Sequence, residues 1–370
     1  MNTTTKKTKE YRKTFNSYWS ANPFKMYSHI EKLYDWHRGK DIYPISIEIG
    51  LTSRCNHSCC WCSIDSKNVD RHHFLSPEVL SKFICNIKEM NVRSVVVSGS
   101  GEQTLHRHFG PFIEELNANN IRIGVNTNGS NLKEETCRQL VKNGTWLRVS
   151  LDAATEATRK QVHGVADLKN TVEGMRRVVE LKKQEQSPLC FGAQLVVCYE
   201  NCHEIEEIAL LAKDIGVDYL QIKPVKFFEH YPERDNMHQE MADWLKTVDR
   251  VSKEVSDSHF QITVRYDQFL EQIEDVVTKR TQAAFPCLTS FSPYIEADGS
   301  VWYCVDKKGF EAFHLGNLQK SDLKSLWHSE RRKEILQHLK EHPCTRICRN
   351  SPLNEFLWDM KNPTPFYDFL

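Results

Sequence analysis

Six short apolar runs alternate with amphipathic segments through the middle of this 370-residue chain, and this alternation leaves few folds open. The apolar runs predict β-strands, and the apolar residues at three- and four-residue spacing between them predict helices that bury one face. We predict strands over residues 47–51, 94–99, 122–127, 147–151, 192–198 and 219–223, and helices over residues 77–90, 110–119, 132–143, 168–183 and 203–215. Six βα units in succession predict a parallel sheet, either flat or curved into part of a barrel.

Polar and glycine-containing segments gather at one end of this predicted sheet. Residues 99–102, 126–129 and 150–152 each close or follow a predicted strand, and the sixth strand runs into residues 221–224. Each segment alone is ordinary turn chemistry, and Asp152 could be only a helix cap. Because the carboxyl ends of the strands form the binding site in parallel α/β folds, their shared location predicts a site there.

A loop with three cysteines follows the first predicted strand. Cys55, Cys59 and Cys62 are separated by three and then two residues, a spacing that lets three thiolates converge on one iron–sulfur cube and leave its fourth iron open. A helix with these cysteines on one face is an alternative, but residues 56–58 (Asn-His-Ser) are poor helix formers. Structural zinc is a second alternative, and it needs a fourth ligand from elsewhere in the chain.

The composition excludes several classes of protein. The chain has 49 basic and 49 acidic residues, which removes a global electrostatic case for nucleic-acid binding. Residues 1–13 lack the apolar core of a signal peptide, and no stretch reaches the roughly 18 apolar residues of a membrane span. We therefore expect a cytoplasmic protein without nucleic-acid or membrane partners, whose 13 cysteines serve metal or catalytic roles and not disulfides.

Four further cysteines appear after residue 285, where the βα alternation stops. Residues 296–304 predict a β-hairpin with Asp-Gly at its turn, and the hairpin carries Cys304. Cys287, Cys344 and Cys348 complete a set of four thiolates. Such a set can hold a fully ligated 4Fe-4S cluster or a closed zinc site. The iron–sulfur interpretation is favoured because the first cysteine loop already indicates iron–sulfur chemistry.

Residues 55–62 (CNHSCCWC) match the motif CxxxCxφC, with Trp61 as the aromatic residue φ, and here the chain resembles the radical S-adenosylmethionine (radical SAM) superfamily. The resemblance covers residues 47–224. It implies an α/β fold, a partial (βα)6 TIM-like barrel followed by a small C-terminal auxiliary-cluster domain that contains the β-hairpin. It also implies that Cys55, Cys59 and Cys62 hold a 4Fe-4S cluster whose open iron binds S-adenosylmethionine (SAM).

Further residues match the SAM-binding positions of the superfamily. Residues 100–103 (SGEQ) resemble its GGEP motif, in which backbone and side chain meet the amino group of SAM. Gly101 and Glu102 take the matching positions, whereas Gln103 stands where proline is usual. The other SAM contacts implied by the resemblance are Trp61, Asn128, Ser150 and Asp152.

The C-terminal cysteines resemble the SPASM/Twitch auxiliary domain, which begins with a cysteine followed by GxxxxC. Residues 299–304 fit this pattern. The shorter Twitch form, with one auxiliary 4Fe-4S cluster, fits better than the SPASM form because too few cysteines remain for two clusters. Cys344 and Cys348 form CxxxC where CxxC is common, so these two ligands depart from the usual spacing.

These observations divide the chain into four predicted parts. Residues 1–43 form an N-terminal helical segment, and residues 44–235 form the radical SAM core. Residues 236–285 form a helical connector, and residues 286–370 form the auxiliary 4Fe-4S domain.

The resemblance implies an enzyme that cleaves SAM reductively to a 5′-deoxyadenosyl radical and takes a hydrogen atom from a small-molecule substrate. A reducing partner such as flavodoxin or ferredoxin would supply the electron. An electron passed to the auxiliary cluster would give dehydrogenation, whereas a hydrogen returned by a thiol would give epimerisation. Cys198 and Cys202, near the end of the fifth strand, are candidate hydrogen donors, and His163 and Lys223 are candidate acid, base or anion contacts.

The resemblance offers several substrates. We favour a carbohydrate-like small molecule, namely an aminocyclitol, an amino sugar or a nucleotide sugar. The alternative is a maturase of ribosomally made peptides, which often carries a leader-recognition domain of ~80 residues. Residues 1–43 predict helix instead of such a domain. A non-enzymatic iron–sulfur or zinc scaffold is a third alternative, against which the open three-cysteine site speaks.

Overall fold

The computed structural model of the chain describes residues 23–62, 70–227, 231–233, 236–273, 291–342 and 350–368. Within these residues a ten-stranded sheet organises the molecule. Its strands are β1 (Ser46–Ile49), β2 (Ser94–Val97), β3 (Arg122–Thr127), β4 (Trp146–Ser150), β5 (Cys190–Val197), β6 (Tyr219–Pro224), β7 (Gln261–Val264), β8 (Tyr294–Ile295), β9 (Ser300–Trp302) and β10 (His314–Asn317).

The first six strands form the predicted parallel core. They neighbour one another in chain order and pair in parallel, with bounds within two residues of the predicted ones. The α-helices are α1 (Ile30–His37), α2 (Pro77–Glu89), α3 (Phe109–Ala118), α4 (Glu134–Asn143), α5 (Glu156–His163), α6 (Leu168–Gln184), α7 (Ile205–Ile215), α8 (Met237–Val255), α9 (Tyr266–Ile273), α10 (Leu323–Trp327), α11 (Glu330–Glu341) and α12 (Ser351–Lys361). The α/β class and the partial TIM-like barrel are confirmed.

Two elements of the barrel were not predicted. Strand β7 pairs in parallel with β6 and lies within the segment predicted as a helical connector. Helix α5 begins after Thr155, whose hydroxyl accepts a hydrogen bond from the N–H of Thr158 over 3.2 Å, and ends at Gly164 with φ of +75°. Thr155 is therefore the helix cap, which leaves the carboxylate of Asp152 for other contacts.

The side chains of the barrel strands alternate between two faces. Every second residue packs against the helices in the main hydrophobic core: Ile47, Ile49, Val95, Val97, Ile123, Val125, Leu147, Val149, Phe191, Ala193, Leu195, Leu220 and Ile222. The residues between them face the inner side of the barrel, since successive side chains of a strand point in opposite directions. The register aligns them in rows, one of which contains Asn126, Arg148, Gly192 and Tyr219.

Two aromatic rings fill the inner side near the amino ends of the strands. Trp146 lies over Gly124, where a Cβ atom would be 2.0 Å from the ring. Tyr219 lies over Gly192, where a Cβ atom would be 2.2 Å from the ring. The guanidinium carbon of Arg148 lies 5.2 Å and 5.7 Å from the centroids of these two rings. The rings form a floor at the amino end of the inner space.

The C-terminal hairpin is confirmed. Strands β8 and β9 pair antiparallel, with Gly299 at φ of +86° in the turn and its N–H donating to the carbonyl of Glu296 over 2.9 Å. Strand β8 also pairs in parallel with β1, so the hairpin extends the barrel sheet. Cys304 follows β9 and begins the 3₁₀ turn Val305–Lys307. The other predicted auxiliary ligands, Cys287, Cys344 and Cys348, lie outside the described residues.

The N-terminal segment covers the amino end of the barrel. Its 3₁₀ helix Pro23–His29 and α1 contribute to a small apolar cluster of Met26, Leu33, Trp36, Ile42, Ile45, Phe291 and Leu357. The ammonium of Lys32 donates to the carbonyls of Pro44 (3.1 Å) and Asn91 (3.3 Å), which precede β1 and β2. Across the described helices, none combines the length and the apolar character that a bilayer span requires.

Candidate active site

The three cysteines of the motif lie together in the loop after β1. The N–H of Cys62 donates to the carbonyl of Cys59 over 3.0 Å, and the N–H of His57 donates to Sγ of Cys55 over 3.4 Å. Burial raises the pKa of Cys55 and Cys59, and the nearby Cys62 raises both further. Clustered thiols that resist ionisation on their own fit a site where metal charge stabilises the thiolates. The donor set therefore fits an iron–sulfur cluster.

Neighbouring segments hold this loop in place. The hydroxyl of Ser53 donates to the carbonyl of Asp70 over 2.7 Å. The N–H groups of Ser58 and Cys60 donate to the carbonyls of His163 and Val162 over 3.0 Å and 2.9 Å. The end of α5 therefore supports the middle of the cysteine loop, which explains why the loop needs no regular secondary structure of its own.

Glu102 is buried, with 2 % of its surface exposed, in the turn after β2. Its oxygens accept hydrogen bonds from the N–H and hydroxyl of Thr104 (3.2 Å and 2.6 Å), the hydroxyl of Thr127 (2.6 Å) and the N–H of Asn128 (2.7 Å). All four donors are neutral, so none of them supplies a positive charge to this buried carboxyl group. This arrangement makes Glu102 a suitable receptor for an ammonium group.

Gln103, at the position where proline is usual, fixes the turn through hydrogen bonds of its side chain. Its carboxamide oxygen accepts from the N–H groups of Leu51 and Thr52, and its amide nitrogen donates to the carbonyls of Ser100 (2.9 Å) and Gly101 (3.2 Å). Gly101 has φ of +91°, and a Cβ atom there would lie 2.4 Å from the carbonyl oxygen of Thr52. The turn thus keeps a closed shape in which the backbone approaches the cysteine loop.

The other predicted SAM contacts also lie at this end of the barrel. The amide nitrogen of Asn128 donates to Oδ1 of Asn56 in the cysteine loop over 3.0 Å. Asp152 accepts from the N–H of Val196 over 2.6 Å and lies 3.0 Å from Nε2 of His163. Both oxygens of Asp152 are thus used inside the protein. The contacts of Asn128, Ser150 and Asp152 with SAM stay predictions.

A row of buried side chains that the sequence analysis did not anticipate connects the cysteine loop with α5. Nε2 of His57 lies 3.0 Å from Oδ2 of Asp167, and Nδ1 of His57 lies 3.3 Å from Nδ1 of His163. Nδ1 of His163 also lies 3.3 Å from Sγ of Cys59. The ligand atoms of His57, Cys59 and His163 lie within 4.8 Å of one another, so among the described residues this trio meets the distance requirement of a metal site.

Burial and neighbouring groups shift the pKa values of Asp167 and His163 in this row. Although burial opposes ionisation of Asp167, its hydrogen bond from His57 and the charge of Arg159 lower its pKa to about 2. Burial lowers the pKa of His163, and the hydrogen bond to Asp152 only partly offsets this effect. The two carboxylates orient the two imidazole rings, as outer carboxylates orient histidines in many metal centres.

Arg159 is fully buried and joins the ends of two strands. Its side chain donates to Oδ1 of Asp167 (2.9 Å) and to the carbonyls of Ser150 (3.3 Å) and Asn128 (3.1 Å). The ends of β3 and β4 are thereby fixed beside the cysteine loop. Nothing in the sequence marks this role, because charged residues of a helix are usually exposed.

Replacing His163 with phenylalanine is expected to lower the midpoint potential of the cluster on Cys59. An iron-bound sulfur can only accept a hydrogen bond. Because Nε2 of His163 donates to the Asp152 carboxylate, the ring also donates from Nδ1 to Sγ of Cys59 over 3.3 Å only as the imidazolium, the form that the negative charge of the thiolates favours, and such bonds raise the potential. A hydrogen bond of about 1 kcal/mol corresponds to roughly 40 mV for one electron. A redox titration followed by electron paramagnetic resonance measures the shift.

The control for this variant is His203→Phe, because the His203 side chain is 63 % exposed in the turn before α7. Iron content should stay unchanged in both variants. Loss of iron in His163→Phe would mean that His163 is itself a ligand, and an unchanged potential would show that the contact to the sulfur has no electronic effect.

The aromatic residue of the motif packs against the barrel. Trp61 meets the ring of His163 edge to face, with centroids 6.1 Å apart, and packs against a cluster that includes Val162, Cys198 and Tyr231. Cys60 packs against the same cluster. Trp61 therefore fills the space between the cysteine loop and the end of β5.

The two candidate hydrogen donors occupy different places. Cys198 is fully buried in the cluster beside Trp61, whereas Cys202 is half-buried with its sulfur 3.6 Å from the carbonyl of Tyr199. Burial raises the pKa of both thiols, so each keeps its hydrogen at neutral pH. That is the form a hydrogen-atom donor needs, and the role of either thiol stays a prediction.

The C-terminal domain reaches two sides of the open end of the barrel. The hydroxyl of Ser100, after β2, donates to Oε1 of Glu296 (2.6 Å) and accepts from the ammonium of Lys308 (2.9 Å). After β6, the ammonium of Lys226 lies 3.3 Å from Oδ1 of Asp306. The segment that follows Cys304 therefore contacts the loops after β2 and β6, and it covers part of the barrel mouth.

Comparisons with known protein families match two parts of the chain. Residues 49–212 match the radical SAM superfamily, and residues 287–350 match SPASM, an iron–sulfur cluster-binding domain. A radical SAM domain implies a 4Fe-4S cluster and SAM, and a SPASM domain implies additional iron–sulfur clusters. The match names the SPASM form where the sequence favoured the shorter Twitch form.

Two curated relatives illustrate the similarity along the chain. A probable GTP 3′,8-cyclase of Metallosphaera sedula is 25 % identical over 297 residues, which cover 79 % of this chain and 89 % of that protein. The tungsten-containing aldehyde ferredoxin oxidoreductase cofactor-modifying protein of Pyrococcus furiosus is 22 % identical over 292 residues, which cover 76 % of this chain and 80 % of that protein.

Solved structures share the fold. Streptococcus suis SuiB bound to S-adenosylmethionine has a TM-score of 0.63 at 14 % identity, with 87 % of this chain and 74 % of SuiB covered. Native anSMEcpe with bound AdoMet has a TM-score of 0.60 at 19 % identity, with 80 % of this chain and 84 % of that chain covered. These likenesses support the barrel with its C-terminal domain as the architecture of the chain.

Proposed function

Since the chain belongs to the radical SAM superfamily and carries a C-terminal SPASM domain, we propose that it takes a hydrogen atom from a C–H bond of a small carbohydrate-like substrate. An aminocyclitol, an amino sugar or a nucleotide sugar would be such a substrate. The observation that carries this proposal is the polar inner side of the barrel, which lies between the aromatic floor and the cysteine loop.

The residues at the mouth fit the cofactors of the superfamily. Cys55, Cys59 and Cys62 would hold the 4Fe-4S cluster, and Glu102 would bind the amino group of SAM. When bound, these cofactors supply the 5′-deoxyadenosyl radical that abstracts hydrogen. The chain's own residues orient the reactants, and the segment after Cys304 shields the mouth from water.

Hydrogen-bonding side chains face the inner side of the barrel. The amide nitrogen of Gln194 donates to Oε1 of Gln221 over 2.7 Å, which forms a polar layer above the floor. The inner residues that can bond a ligand are Asn126, Arg148, Ser150, Gln194, Gln221, Lys223 and Thr263. Buried polar groups need partners, and a substrate with many hydroxyls supplies them.

A peptide is the alternative substrate. SuiB is known with the precursor peptide SuiA, and anSMEcpe is known with the Cp18Cys peptide, at 14 % and 19 % identity to this chain. Likeness at this level concerns the fold alone. The curated relative from Metallosphaera sedula is named for GTP, a small and highly polar molecule, which supports the small-molecule proposal.

The proposal is tested with anaerobically reconstituted full-length enzyme, excess SAM and a reductant. Candidate sugars, aminocyclitols, nucleotide sugars and peptides are added separately, each deuterated at the carbons under test. The expected result is deuterium in 5′-deoxyadenosine with a carbohydrate-like compound, because the abstracted atom ends there. Deuterium transfer from peptides alone would overturn the choice of substrate.

Incubation of the unlabelled substrate in deuterated water separates the two outcomes of hydrogen abstraction. Epimerisation through a thiol should place solvent deuterium at the reacting carbon, because thiol hydrogens exchange with water. Dehydrogenation should give an oxidised product without it. Mass spectrometry of the product distinguishes the two, and either outcome defines which reaction follows the abstraction.

If the product is an epimer, Cys198→Ala or Cys202→Ala is expected to abolish epimer formation while 5′-deoxyadenosine is still made. The radical would form but find no hydrogen to take up. Cys85→Ala serves as the control, since Cys85 is exposed on α2. Normal epimer yield in both variants would exclude these two thiols as donors.

A further inference from the structure

The inner row nearest the mouth of the barrel carries charged residues. The register of β5 and β6 places Lys223 beside Val196, and the N–H of Val196 donates to Oδ1 of Asp152. The N–H of Arg265 donates to the carbonyl of Ile222, which continues the row past the end of β7. Asp152, Lys223 and Arg265 therefore lie in one row at the carboxyl ends of β4, β6 and β7.

Most charges in and near this row are paired. Asp152 bonds to Val196 and His163, as described above. The guanidinium of Arg265 donates to both oxygens of Asp267 over 3.0 Å and 2.8 Å, and Lys226 pairs with Asp306. Lys223 has neither a hydrogen bond nor an ion pair with any residue that the structure describes. Its ammonium is thus an uncompensated cation inside the barrel.

Arg148 is the second cation on the inner side without a carboxylate. Its Nε donates to the hydroxyl of Tyr219 over 3.2 Å, and its guanidinium covers the aromatic floor. Within the described ranges it forms no ion pair. Burial, together with the charges of Lys226, Arg148 and Arg265, lowers the pKa of Lys223 to about 8, and Asp152 offsets this only in part.

We propose that Lys223 and Arg148 bind an anionic group of the substrate, a phosphate or a carboxylate, inside the barrel. Two half-buried cations without an anion are costly, and an anion between them removes that cost. The planar guanidinium can bind such oxygens through two parallel hydrogen bonds, and the ammonium adds a point charge. Arg148 comes from an inner row near the floor and Lys223 from an inner row near the mouth. The anion would therefore lie between the aromatic floor and the cysteine loop.

This inference rests on the proposed function and narrows its substrate class. Nucleotide sugars, sugar phosphates and sugar acids carry the required anion. Aminocyclitols and free amino sugars carry ammonium groups instead, which Lys223 and Arg148 repel. Anionic sugars are therefore the favoured members of the class.

The test measures anion binding by isothermal titration calorimetry of the reconstituted holoenzyme with SAM bound. Inorganic phosphate, pyrophosphate and acetate are titrated into the wild type, Lys223→Met, Arg148→Met and the control Lys183→Met, which removes an exposed lysine of α6. We expect binding to be roughly 10- to 100-fold weaker in the first two variants and unchanged in the control. Phosphate or pyrophosphate binding indicates a phosphorylated sugar, and acetate binding alone indicates a sugar acid.

Lys223→Arg and the pH dependence supply a second readout if a methionine variant fails to fold. The ammonium of Lys223 is charged below its pKa, so anion binding by the wild type should weaken as pH rises above about 8. Lys223→Arg should bind the anion without this loss, because arginine stays charged. Arg148, Lys226, Arg265 and Asp152 are the charged groups that surround Lys223.

The anion site and the proposed function can be disproved independently of each other. Holoenzyme that forms 5′-deoxyadenosine but binds none of the three anions overturns the anion site and leaves the proposed function intact. Holoenzyme that binds anions through Lys223 and Arg148 but forms no 5′-deoxyadenosine overturns the proposed function instead. Equal anion affinity in the wild type and both methionine variants also overturns the anion site.

Discussion

Cys59→Ala is expected to remove one of two iron–sulfur clusters and to abolish formation of 5′-deoxyadenosine. The sulfur of Cys59 is buried and lies 3.3 Å from Nδ1 of His163, in the middle of the cysteine loop. The adjacent Cys60 cannot replace it, because Cys60 packs in the cluster around Cys198 with its sulfur 3.8 Å from Oε2 of Glu200. Iron should fall from about eight to about four atoms per chain.

Iron, sulfide and zinc analysis of the purified, reconstituted protein checks this result. Cys85→Ala, which removes an exposed thiol of α2, should keep all the iron. Iron content unchanged in Cys59→Ala would contradict the assignment of this residue as a ligand. Zinc in the wild type at the expense of iron would favour a metal site formed by His57, Cys59 and His163.

Glu102→Gln is expected to weaken SAM binding by roughly 10- to 100-fold. The buried carboxyl group is held by neutral donors and has no cationic partner among these contacts, so we expect the ammonium of SAM to pair with it. A carboxamide has no such charge, and its amide hydrogens would also face the N–H of Asn128. Equilibrium binding of SAM to the reconstituted protein measures the loss.

Thr127→Val is the matched control for Glu102→Gln. It removes the 2.6 Å hydrogen bond from the Thr127 hydroxyl and keeps the charge of Glu102. Stability should fall by about 1 kcal/mol, whereas SAM affinity should change by only a few-fold. If both variants lost SAM binding equally, the turn geometry would be responsible and not the carboxylate charge. Undiminished affinity in Glu102→Gln would show that Glu102 does not bind the amino group.

The barrel was predictable because its first six strands are short runs with buried apolar residues at alternate positions, separated by segments of helical periodicity. Strand β7 was not, because Gln261–Val264 has only two apolar residues and its pairing with β6 is a long-range contact that the local sequence does not show. Helix α5 was not, because its buried face includes Arg159 and His163 and therefore lacks apolar periodicity. The polar residues that contribute to the site therefore removed the apolar pattern by which α5 could have been predicted.

The residues of the site also divide into those that the sequence predicted and those that it did not. Cys55, Cys59, Cys62 and Glu102 were predictable because their spacing and strand-end location follow from the local sequence. The row from Asp167 to Asp152 was not, because it forms only when α5 returns against the cysteine loop. His57 offered a signal, since it lies inside the motif, whereas Asp167 lies more than a hundred residues away.

The hairpin shows how the C-terminal domain depends on the barrel. Asp-Gly at the turn predicted β8 and β9, but the parallel pairing of β8 with β1 could not be read from local sequence. Ser100 joins the SAM-side turn to Glu296 and Lys308 of the hairpin region. Because of these contacts, we expect the two parts of the chain to move as one unit at the mouth.

Formation of 5′-deoxyadenosine from SAM shows whether the cysteine loop after β1 supports radical chemistry. The full chain is reconstituted with iron and sulfide without oxygen, reduced and supplied with SAM, and the products are quantified by mass spectrometry. The account predicts 5′-deoxyadenosine and methionine from the wild type and neither above background from a variant with Cys55, Cys59 and Cys62 all replaced by alanine. A wild-type protein that holds about eight irons per chain and forms no 5′-deoxyadenosine would contradict it.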